Sequence, residues 1–270
     1  MTYRHPVLDI VLPQGASIDS QAHNGRDKMS FSDLFDWFDH VYIVNLPDRD
    51  DRRAETTAEF ARTGVSIPND QVTFFAATRP KDKGEFPSLG SLGNMISQTR
   101  VLAEALERGY DRVLICEDDL HLLDVPDSAV SDVLSDIKSQ PWNIALLGYL
   151  EPEVPPVGHT GLIEWSEGTL GVQFWAIQGR ATIQAFHDYL VAVRNRPSGH
   201  PDGGSMFFDG AFNMVRTKVP DIHFRLATPN LAGQRSSRTD IHALRFYDRI
   251  EPFKSFASAC RRVMNRRRRS

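Results

Sequence analysis

Cysteine is scarce in this sequence, which has only two among its 270 residues, Cys116 and Cys260. Proteins that depend on disulfides carry several cysteines at close, paired spacings. Cys116 falls in a predicted core strand and Cys260 in a basic tail, so the pattern does not indicate a disulfide framework. We therefore expect a reducing, cytoplasmic environment.

Long apolar runs are also missing. A helix that spans a membrane needs about 20 consecutive, mostly apolar residues, and no stretch of the sequence approaches that length. Residues 1–15 lack the long apolar segment after a basic start that marks a secretory signal. We expect neither a membrane span nor a signal peptide.

Acidic residues are absent from the last ten positions, which contain six arginines. Removing these six positive charges from the net charge of −4 leaves −10 for residues 1–260. An acidic body with a basic tail argues against nucleic acid as a partner.

The tail before and among these arginines has apolar residues at helical spacings. An apolar stripe beside an arginine cluster is typical of a helix that lies on an anionic membrane surface. This predicts a cytoplasmic protein that is peripheral at the inner face of the cell membrane. Two alternatives stay open: a helix docked on the body, or contact with the acidic body of a neighbouring subunit. The apolar residues are Phe253, Phe256, Ala257, Cys260, Val263 and Met264.

Between these ends, β-branched apolar segments alternate with segments of helical periodicity. This alternation predicts an α/β fold with a mostly parallel, doubly wound central sheet. We divide the chain into a short N-terminal extension (1–40), a central domain (41–248) and the basic amphipathic C-terminal tail (249–270). Strands are predicted near 41–46, 72–77, 112–119, 143–148, 170–177 and 222–227, and helices from the end of the run 48–53 to about 62 and near 93–108, 127–139 and 181–193.

Three consecutive acids, Glu117, Asp118 and Asp119, follow the apolar run Val113–Cys116. Such a run predicts a buried strand, and ligands of open α/β sheets bind beyond the carboxyl ends of strands. Adjacent carboxylates repel unless a cation lies among them, and Mg²⁺ and Mn²⁺ prefer carboxylate oxygens. The acids therefore indicate a metal–diphosphate site, with a solvated acidic turn as the alternative.

A second candidate follows the strand at 41–46, where the polar turn Asp48–Arg53 leads into a helix. Helix N-termini attract anions, and arginines add charge-assisted hydrogen bonds. The alternative is an exposed helix start with internal Asp–Arg pairs.

Four motifs follow one another in order over residues 41–242. They are Tyr42-Ile43-Val44-Asn45-Leu46 with Asp51-Arg52-Arg53, Gly90-Ser91-Leu92-Gly93 with Ser97, Leu114-Ile115-Cys116-Glu117-Asp118-Asp119, and Pro229-Asn230-Leu231-Ala232-Gly233-Gln234 with Ser237 and Ile241. Together they resemble glycosyltransferase family 25, which includes bacterial lipopolysaccharide galactosyltransferases and collagen galactosyltransferases.

The resemblance implies a GT-A type fold, a nucleotide-sugar donor with a UDP-sugar favoured, a divalent Mn²⁺ or Mg²⁺, and inversion at the anomeric carbon. It implies transfer of a hexose, with galactose favoured, to a glycan or lipid-linked glycan such as lipopolysaccharide or capsule. The chain departs from the family pattern at Asn94 (usually Cys), Gln98 (usually His) and Thr78 (often an acid). These departures bear on donor choice and activity.

Inverting transfer needs a general base for the acceptor hydroxyl and a cation for the departing diphosphate. Asp119 is the first candidate for direct metal contact, with Asp118 second. Glu117 or Asp118 is a candidate for the donor ribose or sugar, and Asn45 and Arg52 are candidates for the nucleotide.

For the base, Asp209 is favoured because it follows the aromatic pair Phe207-Phe208 and resembles an acid that the family has late in the domain. An apolar setting would raise its pKa. Glu151 is the second candidate, and a helix N-cap is the alternative role for Asp209. Core packing is favoured for Trp165 and Trp175 over sugar stacking, and a structural role for His223 and His242 over metal binding.

Two other functions stay open. A nucleotidyltransferase would need a phosphate loop with glycine and lysine, and Asp48–Arg53 has neither. A non-catalytic nucleotide-sugar-binding or partner protein on the same fold is the second alternative.

Overall fold

The structure is a computed structural model that describes residues 30–150, 158, 160–219 and 221–235. The predicted tail, residues 1–29 of the N-terminal extension, Glu151 and His242 lie outside the described residues.

The described chain forms six helices and nine strands. They are α1 (Phe31–Asp36), β1 (His40–Asn45), α2 (Asp50–Arg62), β2 (Val72–Ala76), α3 (Leu89–Glu107), β3 (Arg112–Glu117), β4 (Leu120–Leu122), α4 (Asp127–Ser139), β5 (Ile144–Gly148), β6 (Gly161–Glu164), β7 (Phe174–Gln178), α5 (Arg180–Arg194), α6 (Phe208–Lys218), β8 (Phe224–Thr228) and β9 (Ala232–Gln234). Among them, no helix is both long and apolar enough to cross a membrane.

The strands form one sheet in the order β2-β1-β3-β7-β5-β8-β6, with β9 beside β5 and β4 beside β9. Strands β1, β2, β3, β5, β8 and β9 run in one direction, and β4, β6 and β7 run against them. The predicted α/β fold with a mostly parallel central sheet is therefore confirmed.

Helices cover both faces of the sheet, because each inner strand is apolar on both sides. Along β3, Leu114 and Cys116 pack with residues of α1, α2 and α4, on what we call the α2 face. Val113 and Ile115 pack with residues of α3, α5 and α6, on what we call the α3 face. Helix α1, in the segment predicted as an extension, contributes Leu34 and Phe35 to the core of the α2 face.

Strand β7 differs from the sequence prediction. It begins at Phe174 rather than Leu170, and it lies antiparallel between β3 and β5 in the middle of the sheet. Because β7 runs the other way, residues 168–173, which precede it, lie at the edge where β3 and β5 end. This edge, the carboxyl edge of the sheet, holds the candidate site.

Candidate functional site

The predicted acids lie at the carboxyl edge but not on one side of the sheet. Strands β1 and β3 are parallel, with Val44 opposite Glu117, so their ends meet there. Side chains alternate between the two faces of a strand. Glu117 therefore falls on the α3 face and Asp118 on the α2 face, and the acids make contacts with different helices.

Asp118 is held by two residues that the sequence had singled out. Its Oδ1 accepts a hydrogen bond from Arg52 Nη1 at 2.7 Å, and its Oδ2 accepts one from Asn45 Nδ2 at 2.8 Å. Both lengths are typical of bonds to a charged acceptor. Asn45 Oδ1 in turn accepts a bond from Arg53 Nη2 at 3.1 Å. The arginines at the start of α2, the end of β1 and the acids after β3 thus form one hydrogen-bonded network.

Asp119 accepts hydrogen bonds from residues far along the chain, Gln234 and Arg235. Its Oδ2 accepts bonds from Gln234 Nε2 at 2.9 Å and from Arg52 Nη1 at 3.3 Å. The Arg235 N–H donates to the Asp119 carbonyl oxygen at 2.7 Å, and Arg235 Nη2 donates to the Asp118 carbonyl oxygen at 2.6 Å. Strand β9 and the residue after it therefore fix both the main chain and one carboxylate of the acidic turn.

Glu117 lies on the α3 face, where its Oε1 accepts a bond from Asn94 Nδ2 of α3 at 3.3 Å. Burial raises the pKa of Glu117 well above its usual range, and the negative charges of Asp119, Asp209 and Asp118 raise it further. The bond from Asn94 acts in the opposite direction. Asn94, one of the departures from the family pattern, thus contacts an acid of the candidate site.

Gln98, a second departure, lies one helical turn beyond Asn94 and has 0% of its surface exposed. Within the part of the chain that the structure describes, neither atom of its amide has a hydrogen-bond partner.

Asp209 reaches the same edge from α6. It is the second residue of that helix, and the N-cap, the alternative role considered for Asp209, is Phe207. Its Oδ2 accepts a hydrogen bond from the Gly171 N–H at 2.9 Å. In the same loop, the Gln173 carbonyl oxygen accepts a hydrogen bond from the Glu117 N–H at 2.9 Å. Residues 171–173 therefore connect Asp209 to Glu117.

The environment of Asp209 changes its acidity. Burial raises the pKa of Asp209 above its ordinary value of 3.8, while N–H groups of Gly171, Asp209 itself and Val172 act in the opposite direction. A buried carboxylate whose pKa is raised is better suited to accept a proton near neutral pH than an exposed one.

The metal prediction can be tested against the donors present. Among the described residues, no three or more His, Cys, Asp and Glu side chains are grouped so that they could hold a metal ion. Both oxygens of Asp118 and one oxygen of Asp119 already accept hydrogen bonds, two of them from the Arg52 guanidinium. The arrangement of Asp118 and Asp119 does not fit a divalent cation.

The remaining candidates lie elsewhere. Trp175 is fully buried against Phe186 and Phe212 of the α3 face, so it packs in the core as favoured. Trp165 is partly buried against the same face. His223 precedes β8 at the opposite edge of the sheet from the acids. Glu151, the second candidate base, lies outside the described residues.

Several contributors to the site had no predicted role, among them Asn94, Gly171, Gln234 and Arg235. Gln234 belongs to a motif quoted above, so that motif was the signal for it. Gly171 has φ +74°, and a Cβ there would clash with Cγ of Leu150. An isolated glycine in a loop gives no sequence sign of such a contact.

The chain was compared with known proteins. No protein-family model matches it. No curated protein matches it.

Solved structures do match. A glycosyltransferase involved in the glycosylation of the major capsid of PBCV-1 is 11% identical, with a TM-score of 0.42 over 70% of this chain and 81% of that one. The nucleoside-diphosphate-sugar pyrophosphorylase from Vibrio cholerae is 12% identical, with a TM-score of 0.37 over 80% of this chain and 85% of that one. 2-C-methyl-D-erythritol 4-phosphate cytidylyltransferase from Thermus thermophilus is 13% identical, with a TM-score of 0.37 over 77% of this chain and 98% of that one. At these identities and TM-scores the likeness assigns no activity to this chain.

Proposed function

We propose that this protein is a transferase that moves a sugar from a nucleotide-sugar donor to a hydroxyl group of a glycan. The observation that carries the proposal is the meeting of Asp209 and Glu117 with the network of Asn45, Arg52 and Asp118 at the carboxyl edge of the sheet. This edge is where ligands of open α/β sheets bind. It combines a candidate base with cationic and amide groups that suit a nucleotide.

The chemistry is a direct displacement with inversion. The acceptor oxygen forms a bond to the anomeric carbon, the bond from that carbon to the diphosphate oxygen breaks, and the acceptor proton passes to an Asp209 oxygen. The bond from the Gly171 N–H orients the carboxylate for this transfer. Inversion, a UDP-linked hexose and galactose in particular are supported by the family resemblance of the motifs.

Arg52 and Arg53 are the cationic groups of the network on the donor side. They lie in the first turn of α2, where the helix dipole also favours an anion. Charge that develops on the departing diphosphate would be stabilised by such groups, which are held in place before the reaction begins.

The acceptor side is indicated by exposed apolar side chains. Leu150 and Leu170 are 52% and 42% exposed, and the Leu150 N–H donates to the Leu170 carbonyl oxygen at 2.9 Å. Leu170 precedes Gly171, whose N–H holds Asp209. An acceptor with an apolar portion, such as a lipid-linked glycan, would cover this leucine pair while its hydroxyl group reaches Asp209.

Replacing Leu170 with serine should weaken the binding of acceptors that carry an alkyl chain. Full burial of an exposed leucine contributes about 1.5–3 kcal/mol. Leu170 is 42% exposed, so covering the rest of it contributes roughly 0.6–1.3 kcal/mol. We therefore expect KM for octyl glycosides to rise about three- to eightfold, with kcat and the donor KM unchanged. Steady-state kinetics with octyl glycosides and with the corresponding free sugars measures this. The control is Leu89→Ser, a similarly exposed leucine at the start of α3; an equal rise in both variants would contradict the acceptor surface.

The proposed function is tested first by binding. A ligand at about 100 times its Kd stabilises the folded state by about 2.7 kcal/mol, and about 5–10 °C in Tm is expected for a domain of this size. A panel of nucleotide sugars should give one such shift, whereas the free nucleosides should not. If no nucleotide sugar shifts Tm, the proposal is wrong.

Binding without turnover would favour the non-catalytic alternative. Release of the nucleoside diphosphate, measured with and without a glycan acceptor, separates the two. The enzyme is expected to hydrolyse the donor slowly and to release the diphosphate faster when acceptor is present.

A further inference from the structure

We infer that the Arg52 guanidinium, and not a divalent cation, is the resident cation of the Asp118–Asp119 pair. Arg52 Nη1 lies 2.7 Å from Asp118 Oδ1 and 3.3 Å from Asp119 Oδ2. One nitrogen therefore bridges the two carboxylates, which is the position that a metal ion shared by both would need.

The bridge is sheltered from solvent. The side chains of Asp118 and Asp119 are each 8% exposed and that of Arg52 is 18% exposed. A divalent cation placed at the same carboxylates would meet the guanidinium at close range, where water screens their repulsion poorly. Metal binding would therefore require Arg52 to leave.

The surrounding hydrogen bonds fix the position of Arg52 relative to the two aspartates. Thr56 Oγ1 lies 2.8 Å from the Arg52 carbonyl oxygen and 2.6 Å from the Asp118 carbonyl oxygen, and it can donate to either. Arg235 bonds the main chain of both aspartates from the other side. Helix α2, the acidic turn and the end of β9 are thus joined around the guanidinium.

Neutral donors also bond to the carboxylates of this pair. Asn45 Nδ2 bonds Asp118 and Gln234 Nε2 bonds Asp119. Amide and guanidinium donors together bond both carboxylate oxygens of Asp118 and one carboxylate oxygen of Asp119, and buried carboxylates require partners of this kind. It follows, if the proposed function holds, that a nucleotide sugar binds here without a divalent cation.

Direct titration with Mn²⁺ alone tests the inference on the full chain, with electron paramagnetic resonance to count bound ions. The wild-type protein should show no saturable site up to about 1 mM, the weak end of protein sites for hard cations. Arg52→Gln should gain one site, with an affinity at least about tenfold higher. Arg53→Gln, which removes the same charge from a neighbouring group that bonds Asn45, should not gain a site.

A second variant keeps the test decisive if Arg52→Gln does not fold. Arg52→Lys retains the positive charge, and we expect it to exclude Mn²⁺ as the wild type does. One Mn²⁺ bound per wild-type chain at micromolar Kd, or a site that Arg52→Gln leaves unchanged or weakens, would overturn the inference.

The nucleotide arm uses UDP with EDTA or with Mn²⁺, measured by calorimetry. Equal affinity in the two conditions supports the inference, and binding that appears only with Mn²⁺ overturns it. If UDP binds in neither condition, a UDP-sugar is not the donor of the proposed reaction. The Mn²⁺ titrations then still decide whether Arg52 is the resident cation.

Discussion

Replacement of Asp209 with asparagine is expected to lower turnover by about 10²–10⁴-fold, the usual contribution of a general base. Donor affinity should hold, because Asp209 lies on the α3 face while the donor network of Asn45, Arg52 and Asp118 lies on the α2 face. An asparagine Oδ1 can still accept the Gly171 N–H, so the loop geometry should persist. Steady-state kinetics and donor titration measure the two quantities separately.

The same variant should be more stable than the wild type near neutral pH. The pKa of Asp209 is higher in the folded state than its ordinary value of 3.8, so the folded protein holds this proton more tightly than the unfolded chain. The stability that this gives is fully present below pH 3.8 and is lost as the pH rises through the folded-state pKa. The gap in Tm between Asp209→Asn and wild type should therefore be absent at low pH and open as the pH rises.

A matched control is Asp188→Asn on α5, which removes an exposed carboxylate that bonds His187 and Gln184. It should leave turnover unchanged. If Asp209→Asn retains turnover and Glu151→Gln does not, the base is Glu151.

Replacement of Asp118 with alanine should have the largest effect on stability. It removes the acceptor of both Asn45 and Arg52 and leaves the guanidinium with a weaker partner in Asp119. Breaking a buried ion pair by removing one partner typically costs about 3–5 kcal/mol. Urea unfolding followed by circular dichroism should show the midpoint move by the corresponding amount, with the slope unchanged.

Asp51→Ala is the control for this prediction. Asp51 pairs with Arg49 at the same end of α2, but its side chain is 60% exposed. Solvent screens such a pair, so the urea midpoint should barely move. The opposite outcome would be a urea midpoint that Asp118→Ala leaves unchanged, together with the loss of Mn²⁺ binding that the wild type shows. Asp118 would then be a metal ligand and not an anchor for α2.

Local patterns determine much of the fold. The apolar stripe of α4 predicts that helix with the bounds that it has, Asp127–Ser139, because the periodicity and the residues at its ends agree there. The position of β7 is different. An apolar strand looks alike whether it runs parallel or antiparallel, and its direction depends on the neighbours between which it is placed.

The candidate site shows the same limit. The acids after β3 and the arginines after β1 are clustered in sequence, so both groups could be recognised as parts of a site. Their pairing could not, because bonds such as Arg52–Asp118 join positions 66 residues apart. That Glu117 and Asp118 fall on opposite faces of the sheet could not be predicted either, because it depends on where the strand ends.

The bonds around the acidic turn also bear on the order of folding. They join positions 73 residues apart in Asn45–Asp118, 115 apart in Asp119–Gln234 and 117 apart in Arg235–Asp118. Contacts of such long sequence separation form slowly, because a large loop must close before they contribute. On a chain emerging from the ribosome, β1, α2 and β3 are made long before Gln234 and Arg235 arrive. The nascent acidic turn therefore lacks the bonds from Gln234 and Arg235 until β9 has been synthesised and docked.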